Sequence, residues 1–154
     1  MKWILHRGNK NGPGSCENNP KLISEYLLEG YEVEIDLRYK DGNFYLGHDT
    51  PDYKVNEEFL KHEGLWIHCK DPETLEYMVN NKNKLHYFYH TNEDYVLTSR
   101  GIIWSNVGKC PLKNSVIIMP EKAISEYSWE VITNNKCIIC SDYLIEYIKK
   151  LLGN

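Results

Sequence analysis

Three short groups of residues carry the chemistry this sequence could perform: His6-Arg7-Gly8, Glu34-Ile35-Asp36 and His48-Asp49. A pair of histidines suits proton transfer at two oxygens, one imidazole taking a proton while the other gives one. Arg7 offers a planar fork of donors for phosphate oxygens, an ordinary surface salt bridge being its alternative use. Glu34 and Asp36, two positions apart on an extended strand, would lie roughly 6.6 Å apart along one face, close enough to share one ion. A row of carboxylates repels itself unless something cationic lies against it, and a hard divalent ion is the commonest such partner. A solvated acidic edge strand fits the triplet alone equally well.

The elements that must position these groups can be read from periodicity. Residues 31–37 alternate acidic and apolar, so Val33, Ile35 and Leu37 share one face of a strand and Glu32, Glu34 and Asp36 the other. Glu32 is in phase but deeper, and is expected to pair with a cation or lie toward the far end of the strand. His6 closes the apolar run of residues 1–5, and a Gly/Pro/Asn-rich loop leads on to Pro20. Asp41-Gly42 is a turn signal, after which residues 44–47 lead into His48. Asn19-Pro20 opens a helix through Leu27 that stops at Gly30, and Asn56 caps a short helix over 57–62. A strand over 65–70 follows, then a helix started by Asp71-Pro72 and a strand over 85–90. Residues 95–98 fit a strand or a helix remnant. Strands are predicted over 102–105, 116–119 and 136–141, with helices over 124–133 and 143–152.

Seven clear strands and one ambiguous one, alternating with helices, predict an α/β fold of parallel strands joined by right-handed crossovers. The expected architecture is one domain over 1–154, a compact (βα)8 TIM-type barrel of seven to eight parallel strands, stripped down because a full barrel takes roughly 250 residues. An open doubly wound sheet is the alternative. It calls for a Gly-rich phosphate loop after the first strand, and residues 8–14 fit neither nucleotide fingerprint.

The chain is 42% hydrophobic and 26% charged, which excludes a disordered chain. A net charge of −4 without a basic run argues against binding nucleic acid or an anionic membrane surface. No apolar run reaches the length of a membrane span. The N-terminus runs straight into a strand, so no signal peptide is expected and the cytoplasm is the expected compartment. Five cysteines leave one unpaired in any disulfide scheme, and Cys137 and Cys140 would face opposite sides of a strand, so buried free thiols are expected.

The order His6-Arg7-Gly8, Glu17-Asn18, Glu34-Ile35-Asp36, Asp41-Gly42, His48-Asp49 resembles the N-terminal pattern of the glycerophosphodiester phosphodiesterase family, within the phospholipase C-like phosphodiesterase barrels. Residues 138–143 are similar to that family's closing segment, with Ser141 for a threonine and no proline after Asp142. The likeness is dense to Asp49 and thin in the middle of the chain. It implies hydrolysis of a small phosphodiester, with His6 and His48 as acid and base, Arg7 and Lys70 on the phosphate, and Mg²⁺ or Ca²⁺ at Glu34 and Asp36. A phospholipase-type activity on a larger head group is the nearest enzymatic alternative.

The third predicted strand departs from the pattern. Where the family has a metal-binding glutamate, this chain has His68, in phase with Trp66 and Lys70. Imidazole in place of a carboxylate removes a charge and favours Mn²⁺ or Zn²⁺ over Ca²⁺. A catalytically inactive phosphate- or sugar-phosphate-binding domain is therefore the alternative from another class. His90, Trp104, Glu121 and Asp142 fall near strand ends as possible pocket residues; Trp104 reads first as packing, and Asp142 as a helix cap or a residue that orients another. His62 and His86 read as structural. A barrel this small leaves wall uncovered by helices, which leaves a homo-oligomer open.

Overall fold

The computed structural model describes residues 2–81, 84–123, 127–146 and 149. Ten strands are found among them: β1 Trp3–Leu5, β2 Glu32–Lys40, β3 Asn43–Leu46, β4 Tyr53–Val55, β5 Leu65–Cys69, β6 Tyr87–Tyr89, β7 Tyr95–Leu97, β8 Ile103–Ser105, β9 Val116–Ile118 and β10 Ile138–Ser141. The α-helices are α1 Pro20–Leu28, α2 Glu57–Leu60, α3 Pro72–Asn81 and α4 Trp129–Asn134, with 3-10 turns at His6–Gly8 and Pro120–Lys122. The helix expected over 124–133 starts at Trp129, residues 124–126 lying outside the described residues. Of the helix expected over 143–152, residues 144–146 are helical and most of the remainder lies outside the described residues.

All ten strands belong to one mixed sheet that curls into a half-barrel. The closed, all-parallel (βα)8 barrel is therefore not what forms. Parallel ladders run β6–β5–β2–β1–β10–β9–β8. Antiparallel pairings add β3 to β2, β4 to β3 and β7 to β8. Among the described residues no ladder joins β6 to β7, so the sheet stays open there.

The reason lies in the connections. A parallel neighbour needs a crossover of a dozen or more residues, usually a helix. Residues 90–94 between β6 and β7 are too few, and β7 pairs antiparallel with β8 instead. β2 overruns the site to Lys40 and reverses at Asp41-Gly42, both at positive φ (50° and 73°), the geometry that the Asp-Gly signal predicts for a two-residue hairpin.

β2 is buried on both faces, and its alternation sorts two environments. Leu5, Val33, Ile35, Leu37, Ile67 and Ile139 join the main core, to which Ile23 and Leu27 of α1 and Met78 of α3 also belong. On the other face Ile4, Trp66, Phe88, Trp104, Val116 and Cys140 form a second apolar cluster. Glu34, Asp36 and His68 share that second face and are themselves buried. α1 starts where expected, Asn19 Oδ1 accepting from the backbone N–H of Lys21 at 3.0 Å. Asn56 likewise caps α2 by accepting from Phe59 N–H. All five thiols are free; Cys137 and Cys140 are buried, as expected of that pair, as is Cys69, whereas Cys16 and Cys110 are exposed. Cys137 and Cys140 lie in opposite clusters, as their spacing requires.

His86 is structural, as expected. It is buried, its Nε2 lies 3.0 Å from Thr98 Oγ1, and its ring packs 4.0 Å from that of Trp66. Burial, then the charges of Arg100 and Lys2, bring its pKa down to about 4. The unfolded chain therefore takes up this proton first, near pH 6.5, and stability declines as pH falls from there toward 4. Unfolding free energies from urea titration at pH 7 and pH 5 are expected to differ less in His86→Gln than in the parent, by roughly 1 kcal/mol after solvent relaxation is allowed for. Equal differences in the two proteins would remove His86 from the acid sensitivity.

Candidate active site

The ends of β1, β2 and β5 converge because their parallel register places Leu5 beside Val33 and Asp36 beside His68. A cavity of about 190 Å³ opens there, lined by His6, Arg7, Glu34, Asp36, His48, His68, Lys70, His90, Thr91, Trp104, Asn106, Ile118 and Met119. Nine of the eleven residues singled out from the sequence are thus brought together; Glu121 and Asp142 are not among the lining residues.

Asp36 is the hub. Its Oδ1 lies 3.2 Å from both His68 Nδ1 and Lys70 Nζ, and its Oδ2 lies 3.2 Å from Arg7 Nε. Asn18 clamps the same residue twice, donating from Nδ2 to Oδ2 and accepting the Asp36 N–H at Oδ1, each at 2.9 Å. Burial alone would raise this carboxyl, but the contact with His68 and the charges of Lys70 and Arg7 outweigh it and hold the pKa far below the usual range.

Glu34 is the contrasting partner. Arg7 donates its backbone N–H to Glu34 Oε2 at 3.1 Å, while His6 Nε2 and His68 Nδ1 stand at 3.9 and 3.8 Å. Burial and then the neighbouring Asp36 push its pKa up. Arg7 itself adopts a left-handed backbone, φ 52°, uncommon for a side chain of this kind. Such strain clusters at functional sites.

His6 Nδ1 lies 2.7 Å from Asp142 Oδ1, which also accepts from Asn9 Nδ2 at 2.8 Å. Burial disfavours the imidazolium, but the bond to Asp142 and the charge of Glu34 prevail and raise the His6 pKa. Asp142 is correspondingly lowered, burial being outweighed by His6 and Asn9. Asp142 is therefore a residue that orients His6, one of the two roles its position suggested. Glu121 stands behind it, accepting from the Asp142 N–H at 3.1 Å and from Ser141 Oγ at 3.0 Å, which corrects its reading as a pocket residue.

His48 sits at the rim, its side chain 38% exposed and its Nδ1 2.7 Å from Asp49 Oδ1. Gly47 before it has φ 149°, and a Cβ there would come within 1.9 Å of the Thr50 carbonyl, so only glycine admits this turn. Arg38 ties the turn down by donating to the carbonyls of Gly47 and His48 at 3.2 and 2.6 Å. Glu32 lies away from the cavity, accepting from Trp66 Nε1 at 2.7 Å and pairing with Lys2 at 3.1 Å.

His68 stacks against His90, ring centres 4.4 Å apart, and His90 is brought down to about 4 by burial and then by His68 and Lys70. Glu34, Asp36 and His68 can each present one ligand atom, all within 4.8 Å of one another, so this buried group could hold a metal ion. The donor set fits: two carboxylate oxygens and one imidazole nitrogen are ordinary ligands of divalent cations. The ammonium of Lys70 touches the same Asp36 oxygen as His68 and would have to share it.

Sequence reasoning assigned no role to Asn9, Glu17, Asn18 or Arg38. Arg38 is in phase with Glu34 and Asp36 along β2, which was a readable signal. Glu17-Asn18 stood in the motif order, but nothing local indicated that Asn18 would hold Asp36 or that Glu17 would bind Arg7 Nη1, at 3.1 Å. No protein-family model, curated protein or solved structure gives a significant match to this chain. No described helix is long and apolar enough to cross a membrane.

Proposed function

We propose that the chain is a metal-dependent phosphodiester hydrolase acting on glycerophosphodiesters or a related small phosphodiester. The observation that carries this reading is that His6 and His48 line the same small cavity as the cations of Arg7 and Lys70 and the Glu34/Asp36 pair. The motif order resembling glycerophosphodiester phosphodiesterases supports it independently.

In this reading Arg7 and Lys70 draw the phosphate in. Asp142 fixes His6 with its proton on Nδ1, which leaves the Nε2 lone pair free to take a proton from the attacking hydroxyl. The carboxylate then stabilises the imidazolium that results. His48, near solvent, gives its proton to the departing alkoxide. The attacking group is a substrate hydroxyl that closes a cyclic phosphate, which water then opens. A cation held by Glu34, Asp36 and His68 would supply Lewis-acid polarisation of the phosphoryl oxygens. Its carboxylates favour Mg²⁺ or Ca²⁺, and its imidazole widens the range to Mn²⁺ or Zn²⁺. Five free thiols favour a reducing compartment such as the cytoplasm.

A binding protein without turnover is the second reading, because Asp36 is already met by Arg7, Lys70 and His68. Glycerophosphocholine and glycerophosphoethanolamine, each with Mg²⁺, Ca²⁺, Mn²⁺, Zn²⁺ or EDTA, separate the two, with bis-p-nitrophenyl phosphate, which has no hydroxyl to attack, as the control. Turnover abolished by EDTA is the expected result and names the ion. Folded protein that turns over none of them with any metal is the binding protein.

A further inference from the structure

Both carboxylate oxygens of Asp36 already face positive groups. Oδ2 is met by Arg7 Nε at 3.2 Å and by the amide of Asn18 at 2.9 Å. Oδ1 is met by Lys70 Nζ and His68 Nδ1, each at 3.2 Å, and is closed to solvent behind them. A divalent cation ligated by Asp36 would therefore stand at ion-pair distance from a fixed positive charge, and in a buried site that repulsion is little screened. Glu34 differs: its short contact is the neutral Arg7 N–H at 3.1 Å, with His68 Nδ1 and His6 Nε2 at 3.8 and 3.9 Å. The obstacle to a cation shared by Glu34, Asp36 and His68 is thus concentrated on Asp36.

The two sides of Asp36 are not equally held. Arg7 is tied a second time, its Nη1 lying 3.1 Å from Glu17 Oε2, and Asn18 grips both the carboxylate and the backbone of Asp36. Among the described residues the Lys70 ammonium pairs with Asp36 alone. Its backbone is fixed, the Lys70 N–H donating to the Leu37 carbonyl at 2.9 Å, so any movement falls to the flexible four-carbon stem. That side chain lines the cavity beside Arg7 and is 12% exposed. A phosphate group beside Arg7 offers the ammonium several charged oxygens in place of one. Lys70 is therefore the cover on Asp36 Oδ1 that an anion in the cavity can draw aside.

We propose that Lys70 gates the cation site: its ammonium holds Asp36 Oδ1 against a divalent cation until a phosphate group in the cavity takes the ammonium over, so that cation and phosphate ester bind cooperatively through this one side chain. This rests on the phosphate and cation reading of the same cavity. Coupling of this kind is reciprocal, each ligand tightening the other by the same factor. It also confines a tightly held cation to protein that carries phosphate ester.

The test reads binding and needs no turnover. Mn²⁺ affinity is measured from the electron paramagnetic resonance of the free ion, with and without saturating glycerol 3-phosphate, a monoester with no diester bond to cleave. In the parent protein the ester is expected to tighten Mn²⁺ about tenfold, within the usual range of coupling between two sites. Lys70→Met keeps the stem and deletes the ammonium. It is expected to bind Mn²⁺ alone about tenfold more tightly than the parent does, and to gain little more from the ester. A direct contact between ion and phosphate would also couple them, but that coupling would persist in Lys70→Met, and its persistence overturns the proposal. Mn²⁺ affinity unchanged or weakened in folded Lys70→Met, checked by thermal unfolding, overturns it as well. Independent binding of the two ligands by the parent overturns it without any variant; beside metal-dependent turnover, that result leaves the hydrolase standing. Coupling lost in Lys70→Met, with no diester turned over, would sustain the gate and reject the hydrolase. A parent that binds no Mn²⁺ with or without the ester rejects both.

Discussion

Phosphodiester turnover is expected to fall by about 10³-fold in His6→Ala, the range for loss of a positioned acid–base group. The more informative variant is Asp142→Asn. Asp142 is not part of the cavity lining and touches His6 only through Nδ1, 2.7 Å away. The amide oxygen can still accept from that nitrogen and keep the tautomer, so geometry survives while the negative charge is lost. The bond to Asp142 and the charges of Glu34 and Asp142 are what raise the His6 pKa against its burial. Without the Asp142 charge the imidazole is a weaker base, and turnover should fall by about 10²-fold while the acid limb of kcat/KM moves to lower pH. A purely structural role for Asp142 would lower activity without moving that limb. Activity and profile both unchanged in the folded variant would remove His6 from the proton chemistry.

Local chemistry was legible in the sequence; long-range placement was not. The alternation in residues 32–37 sorted apolar and acidic faces correctly, and the third strand's phase put Trp66, His68 and Lys70 with the carboxylates, because side-chain direction in a strand follows the pleat alone. The Asp41-Gly42 turn, the Asn19 and Asn56 caps and the helix start at Pro20 are equally local. Sheet closure depends instead on what fills each connection. The barrel expectation followed from the count of alternating strands and helices together with a family likeness that thinned after Asp49, while residues 90–94 are too few for a helical crossover and residues 106–115 contain no helix. Asp142 meets His6 across 136 positions, and Asn18 meets Asp36 across 18. No periodicity encodes such meetings. Glu121 had the right neighbourhood and the wrong depth, because a strand-end position does not say which side of the neighbouring backbone a carboxylate will satisfy.

The largest stability effect expected at the site is an asymmetry between its two carboxylates. Asp36→Asn should cost about 3 kcal/mol, since it leaves Lys70, Arg7 and His68 around a neutral amide and sets amide protons against the donors of Asn18. Glu34→Gln should cost about 1 kcal/mol or less: the Arg7 N–H keeps an acceptor, and the lost charge was one that burial and Asp36 both disfavour. The pH dependence separates them too. Asp36, depressed in the folded state, contributes stability that is fully present above about pH 4 and lost only as pH falls below it. Glu34, raised in the folded state, opposes folding at neutral pH, and that penalty is relieved as pH falls through its folded pKa. Urea unfolding at pH 7 in EDTA, which removes any contribution from bound cation, reads both variants directly. Equal costs would mean that the two carboxylates stand in equivalent surroundings, and the contrast between a cation-binding hub and a neighbour whose charge burial and Asp36 disfavour would have to be given up.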